Sequence, residues 1–136
     1  MAQVTNTFRR GYEEQILRDL ERVPKAGAEA FALKLYEKLD SESHGRGIQY
    51  PRLRNRSSTP TQLPVRQTGS FRDSADYRQV SRFRWAAGIF PEARDVAKAR
   101  SLEYGSENME QRAPTRRVGA DSYTKRAMAQ AVADLF

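Results

Sequence analysis

The 136-residue sequence contains no cysteine and one histidine, His44. Without cysteine there are no disulfides, thiolate nucleophiles or cysteine-based zinc sites, and one histidine excludes every two-histidine metal motif. No apolar run approaches the roughly 18 residues that a membrane-spanning helix needs, and residues 1–15 lack the apolar stretch of a secretory signal. We therefore expect a protein made in the cytoplasm, with no metal, cofactor or membrane partner.

Catalytic motifs are also missing from the sequence. It contains no glycine-rich phosphate loop and no nucleophile elbow. His44 follows a predicted helix and has no second ligand near it in the sequence. The acidic residues of the first helix lie off its apolar stripe and are explained by ion pairs with Arg10, Arg18 and Arg22 along the same helix. These acids are Glu13, Glu14, Asp19 and Glu21. The sequence therefore predicts that the protein is not an enzyme.

The positive charge is concentrated in the middle of the chain. Lysine and arginine number 24 against 17 acids, a net charge of +7, and 19 of the cations are arginine. Residues 45–84 hold nine arginines against Asp73 and Asp76, a net +7, whereas residues 1–44 carry −1 and residues 85–136 carry +1. Arginine forks onto carboxylates and phosphates. The tract therefore predicts contact with phosphate, with an acidic partner surface or with solvent.

Residues up to about 41 have the period of an amphipathic helix. Asn6 or Thr7 is expected to cap it, and the helix is expected to stop near Ser41–His44, before two glycines. Pro24 either kinks this helix or starts a second one. The first apolar stripe consists of Phe8, Tyr12, Ile16 and Leu20, and the second of Ala28, Phe31, Ala32, Leu35 and Leu39.

Residues 45–67 follow no period, because three prolines, two glycines and five arginines interrupt them. Such a segment is either a flexible surface loop or an extended arm that orders against a neighbouring subunit or nucleic acid. Its apolar residues favour the arm, since a solvated linker needs none. The candidate contacts of this arm with a partner or another copy are Ile48, Tyr50, Arg52, Leu53, Arg54, Arg56, Leu63, Val65 and Arg66.

The rest of the chain predicts strands followed by helices. Residues 68–74 indicate a tight turn and a short helix. Apolar runs near Ala75–Val80 and Arg82–Phe90 indicate an antiparallel pair or one longer strand. Pro91 is expected to open a helix that Gly105 ends, and residues 109–114 a short strand or loop. Asp121 or Ser122 is expected to cap a last helix with Tyr123, Ala127, Ala131 and Leu135 on one face. Residues 1–136 therefore form a single α+β domain: a long N-terminal helix, an extended arm, a small antiparallel sheet packed by helices and a C-terminal helix.

Three short motifs, in this order, resemble those of the tail-completion or head–tail joining (neck) proteins of tailed bacteriophages. The first is Thr-Gly-x-Phe-Arg-x-Ser after a proline-bearing arm, the second is Leu-Glu-Tyr-Gly-Ser, and the third is Arg-x-Pro before the last helix. The residues that carry the resemblance are Thr68, Gly69, Phe71, Arg72, Ser74, Leu102, Glu103, Tyr104, Gly105, Ser106, Arg112 and Pro114.

These motif residues also have physical roles of their own. Gly69 permits a backbone bend, and Arg72 is expected to act as a forked donor. Gly105 relieves the end of a helix, with Tyr104 packed beneath that end. Glu103 is expected to pair with an arginine: Arg112 or Arg116 of the same chain, or one of a neighbour.

The resemblance implies a virion structural protein. About six copies of the chain would form a ring that joins the head connector to the tail or terminates the tail tube. Its partners would be other neck proteins, the connector or adaptor above and the tail tube protein below, with non-specific contact with genomic DNA in the lumen. The protein would then be found in the virion neck, and in the host cytoplasm during assembly.

A small basic nucleic-acid-binding protein is the alternative interpretation. It would use the arginine-rich segment 45–84 for phosphates, and aromatic residues as platforms on which bases stack. The candidate stacking residues are Tyr50, Tyr77, Phe83 and Trp85.

Overall fold

The fold is organised around one helix, α1 (Ala2–Ser41), of 40 residues and about 60 Å in length. The computed structural model describes residues 2–41, 45–47, 49–52, 55–59, 62–64, 69–106 and 111–136, with the side chains of α1 from Arg10 onward. The other elements are α2 (Ser70–Asp73), β1 (Ala75–Ser81), β2 (Arg84–Ile89), α3 (Val96–Tyr104), α4 (Pro114–Ala120) and α5 (Ser122–Ala133). The predicted α+β class, with a long N-terminal helix and a small antiparallel sheet, is confirmed.

Helix α1 continues through Pro24, so the prediction of a second helix starting there is wrong. Contacts on both sides of the proline hold the helix together. Before it, the Arg82 guanidinium donates to the Glu21 carboxylate, and after it, the Lys25 ammonium lies 5.6 Å from the centre of the Trp85 ring. The helix also begins at Ala2, before the expected cap at Asn6 or Thr7.

The core lies on the second predicted stripe of α1. Phe31, Leu35 and Leu39 are buried together with Val118 of α4, and the Leu35 side chain has 0 % exposure. The burial predicted for the stripe of Ala28, Phe31, Ala32, Leu35 and Leu39 is therefore confirmed. Partly buried side chains from the arm, α2, the hairpin and α5 surround this cluster: Leu63, Phe71, Ala75, Ala87, Ile89 and Met128.

Strands β1 and β2 form an antiparallel hairpin, so the alternative of one longer strand is wrong. Ala75 pairs with Ile89 and Tyr77 with Ala87, and the register shifts between Gln79 and Ser81. Arg82 and Phe83 connect the strands without the glycine or asparagine of a tight hairpin turn. The bulge beside them supplies the local twist that such a turn would otherwise give.

Helix α3 begins later than expected. Glu92 is extended (φ −63°, ψ 157°), and a 3₁₀ turn at Ala93–Asp95 precedes the helix. Pro91 therefore does not open α3, and that prediction is wrong. At the other end Gly105 ends the helix as predicted and has a positive φ of 84°, but its ψ of 173° lies outside the left-handed helical region that was expected for it.

The chain ends in two consecutive helices. Pro114 begins α4, a helix that was not predicted, at the favoured first position. The Asp121 carboxylate caps α5 by accepting from the backbone N–H of Thr124, so this predicted cap is confirmed. Tyr123 is exposed, while the neighbouring Thr124 is fully buried. Among the described residues, no helix has both the length and the apolar character needed to cross a bilayer.

We expect Leu35→Ala to lower the free energy of unfolding by about 2–5 kcal/mol, because it leaves a cavity at the fully buried centre of the core. Leu33→Ala is the matched control, since Leu33 lies on the same helix with 58 % exposure and should change stability by about 0.5 kcal/mol or less. Urea denaturation followed by circular dichroism measures both. Similar losses in the two variants would contradict this assignment of the core.

Candidate functional site

The three sequence motifs meet around one shallow cavity of about 350 Å³. Phe71 of the first motif, Glu103 and Tyr104 of the second, and Thr115 just after the third all line it. The second and third motifs are also joined through the backbone, because the Leu102 carbonyl accepts from the N–H groups of Arg112 and Ala113, at 2.7 and 2.9 Å. Segments far apart in sequence therefore form one structural unit.

Arg72 of the first motif holds α2 against the end of α1. Its Nη1 donates to the Asp40 carboxylate at 2.6 Å and its Nε to Asp73 at 2.9 Å, and the guanidinium lies 5.2 Å from the centre of the Tyr36 ring. The hydrogen bonds that Arg72 donates to Asp73, and next to Asp40, raise the pKa of Arg72 above its ordinary value. The predicted forked donor is confirmed, and it serves the fold of its own chain.

Gly69 makes room for this guanidinium. A Cβ at this position would lie 2.8 Å from Nη2 of Arg72, closer than such contacts allow. The backbone at Gly69 also has φ 89°, in the left-handed region that side chains resist. The bend predicted for this glycine is therefore confirmed, for two separate reasons. Ser74, the last residue of the motif, closes the turn by donating its hydroxyl to the Ser70 carbonyl.

Glu103 of the second motif caps α4. Its carboxylate accepts from the backbone N–H groups of Thr115 and Arg116, at 3.0 and 3.3 Å, where the helix dipole favours negative charge. Glu103 and Arg116 therefore do meet, but the carboxylate takes the backbone N–H of Arg116, and the Arg116 guanidinium donates to the Glu103 carbonyl and to Gln111. Ala113, just before α4, has φ 45°, a strained value for a residue other than glycine.

Tyr104 does not pack beneath the end of α3, so that prediction is wrong. Its side chain is 71 % exposed, whereas Leu102 is buried. Residues two apart point about 200° away from each other around a helix, so burying Leu102 turns Tyr104 toward solvent. Ser106, the last residue of the second motif, is also exposed.

Arg112 of the third motif ties the arm to the body. The buried guanidinium donates through Nε to the Ser58 hydroxyl at 3.0 Å and through Nη2 to the Ser58 carbonyl at 2.8 Å. Within the arm, the Gly47 N–H donates to the Ser57 carbonyl at 2.8 Å. A Cβ on Gly45 would lie 2.0 Å from the Arg56 carbonyl oxygen, so only glycine permits this close approach. The described parts of the arm therefore fold back against their own chain.

The candidate partner contacts of the arm divide into two groups. Leu63 packs on the core of its own chain, whereas Tyr50, Arg52 and Arg56 are exposed. The remaining candidates, with Thr68 of the first motif and His44, lie outside the described residues: Ile48, Leu53, Arg54, Val65 and Arg66.

The four candidate stacking residues also differ in whether their rings are covered or exposed. Tyr77 and Trp85 contact each other, with ring centres 5.8 Å apart, and Lys25 covers Trp85. Phe83 and Tyr50 are exposed, and the Arg82 guanidinium lies 5.0 Å from the centre of the Phe83 ring.

An exposed apolar surface on the first half of α1 was not predicted as a site. We call it the α1 stripe, and it consists of Tyr12, Ile16, Leu17 and Leu20. Tyr12 is 65 % and Leu20 50 % exposed. The stripe continues into an apolar groove of about 730 Å³ lined by Val23, Gly27, Trp85, Met128 and Val132, among others. Its period was visible in the sequence, but nothing in the sequence indicated that it is left uncovered.

Neither a metal site nor a similar known protein identifies a function for these surfaces. Within the described ranges, no group of three or more histidine and acidic side chains is placed to hold a metal ion. Comparison of the chain with protein-family models, curated proteins and solved structures finds no match.

We expect Glu103→Gln to destabilise the protein by about 1 kcal/mol, because the charge at the start of α4 is lost. Glu92→Gln is the control, since Glu92 forms only an exposed ion pair with Arg94 and should change stability by less than about 0.5 kcal/mol. Equal effects in thermal unfolding would argue against the capping role of Glu103.

Arg112→Lys should loosen the arm, because lysine cannot form the fork to Ser58. We expect the Gly47 amide, which bonds to the residue next to Ser58, to exchange its hydrogen about tenfold faster. Arg100→Lys, an exposed change on α3, should leave that rate unaltered. Hydrogen exchange by NMR measures both variants, and an unchanged rate in Arg112→Lys would contradict the tether.

Proposed function

We propose that the protein is a structural component of the neck of a tailed bacteriophage, where copies form a ring that joins the head connector to the tail or terminates the tail tube. The observation that carries the proposal is the pair of unlike surfaces left exposed: the apolar α1 stripe, and the arginines of the arm and hairpin. A ring requires two different, complementary patches on each subunit. One chain that presents both is suited to such assembly.

The motif resemblance supports the same proposal. The motif residues Arg72, Glu103 and Arg112 each bond to other parts of their own chain: Arg72 joins two helices, Glu103 caps a third and Arg112 anchors the arm. Residues used in this way are fold determinants, as expected of a motif shared by structural proteins. Partner contacts then belong to the exposed surfaces.

In such a ring, the exposed arginines would contact either DNA phosphates or acidic surfaces of neighbouring proteins. Arg46, Arg52 and Arg56 of the arm and Arg78 and Arg84 of the hairpin face solvent. In a ring that surrounds the genome they would attract phosphate, and this attraction would weaken with salt. Against neighbouring proteins they would pair with acidic faces.

Nucleic-acid binding outside a virion is the second candidate. The exposed Phe83 and Tyr50, in a segment rich in exposed arginines, favour it, since base stacking needs an uncovered ring near cations. The contact between Tyr77 and Trp85 argues against it, because it occupies two of the four proposed platforms.

The decisive experiment asks whether the protein is present in virions and where in the virion it lies. We expect a tagged copy to copurify with complete virions and to label the head–tail junction in electron microscopy. Disruption of the gene should yield DNA-filled heads and separate tails, because the joint between them is missing. Normal particles without the protein would contradict the proposal. Tight binding of a single-stranded oligonucleotide by the monomer, with a steep salt dependence, would favour the second candidate.

A further inference from the structure

We propose that the α1 stripe of one copy binds the hairpin end of a second copy, in a head-to-tail contact. The hairpin patch on the second copy consists of Arg78, Val80, Arg82, Phe83 and Arg84. This inference deepens the proposed function, since a ring needs a repeated contact between copies, and it names the two surfaces that meet.

The α1 stripe is continuous with the buried surface of the same helix. Tyr12, Ile16 and Leu20 are followed by Val23, Gly27 and Phe31, at spacings of four, four, three, four and four residues. These spacings keep the six residues along one side of the helix. From Gly27 onward α5 and the sheet cover the stripe, whereas all side chains of residues 10–18 are exposed. A partner that covered Tyr12, Ile16 and Leu20 would therefore extend an apolar contact already present in the fold.

The hairpin patch has the complementary composition. Val80 is 62 % exposed and Phe83 is also exposed, so the patch offers apolar side chains to the stripe. Arg82 already pairs with Glu21 of its own chain, so the patch offers Arg78 and Arg84. The acids Glu13 and Asp19 each lie about 60° from Ile16 around α1, on the two sides of the stripe. Within the described part of the chain, neither Arg78 nor Arg84 is paired with a carboxylate. Both charge and apolar surface therefore match.

The same kind of contact already exists within one chain. The hairpin end lies on α1 just beyond the stripe, where Arg82 donates to the Glu21 carboxylate. Beside the stripe itself, Asp19 lies about 60° from Ile16 around the helix and accepts a hydrogen bond from the Gln15 side-chain amide at 3.0 Å. A second hairpin that covered the stripe would find this carboxylate next to it.

A second copy is the occupant that these observations favour, because both halves of the complementary pair lie on one chain. The stripe and the hairpin patch are different surfaces, so the contact can repeat from copy to copy and close into a ring. A contact of the stripe with itself is less favourable. In an antiparallel pair centred on Ile16, Arg10 would face Arg22 and Glu13 would face Asp19.

Sedimentation velocity of the purified full chain, up to high micromolar concentration, tests the inference. We expect the wild type to self-associate, and the double variant Ile16→Gln and Leu20→Gln to associate about tenfold more weakly, because the apolar contact is lost. Leu33→Gln is the matched control, since Leu33 is exposed on another side of α1 and should leave association unchanged. A monomeric wild type, or equal weakening in the control, would overturn the inference.

Reversing one charge on each surface tests whether the hairpin patch is the surface that binds the stripe, independently of the apolar variants. Asp19→Arg and Arg84→Glu should each weaken association, whereas the two changes together should restore it, because the pair of opposite charges is rebuilt between copies. Failure of the combined variant to recover would overturn the assignment of the hairpin as the partner. Circular dichroism checks that each variant is folded.

The self-association inference and the proposed function can fail independently of each other. A protein that self-associates through the stripe but is absent from the head–tail junction would keep this inference and reject the neck assignment. A protein located at the junction that stays monomeric in isolation, or associates only with another tail protein, would do the reverse.

Discussion

Phe31, Leu35 and Leu39 on the second half of α1 provide the surface on which every other element depends. The hairpin, α4 and α5 each bring apolar side chains to it, and Leu63 of the arm reaches it as well. The cluster is small, since it consists of four buried side chains, those three and Val118. A core of this size gives the arm and the short helices few apolar anchors, so polar contacts must also fix their positions.

Three polar contacts fix the orientation of short segments that meet the core through few apolar side chains. Arg72 joins α2 to the end of α1, Glu103 starts α4, and Arg112 fastens the arm. Each meets backbone groups or a charged partner in defined directions, so each fixes an orientation as well as a distance. These three motif residues therefore supplement the small core.

The local sequence pattern predicted the helices and strands better than the contacts that they make with distant parts of the chain. The four-residue period of α1, the two apolar runs of the hairpin and the cap at Asp121 are all properties of neighbouring residues, and the structure contains them. The partners of Arg72 and Arg112 lie 32 and 54 residues away, so spacing in the sequence could not identify them. The prediction that Pro91 opens α3 was wrong because proline is favoured at the first position of a helix but does not by itself make a helix begin there. Nor could the sequence tell which half of α1 would be covered, because both halves carry the same apolar period.

The uncovered half of α1 links helix formation to assembly. Isolated helices shorter than about 12–15 residues are marginal in water, and most helical stability in proteins comes from packing of an apolar face. Residues 10–18 are exposed on every side, so the continuation of α1 from the packed body is what supports their helical form. A partner that covers Tyr12, Ile16 and Leu20 would remove apolar surface from water and would also stabilise the helix that presents it. Binding free energy and helix stability would then rise together, and contacts with a neighbour would complete an element that the chain alone leaves half packed.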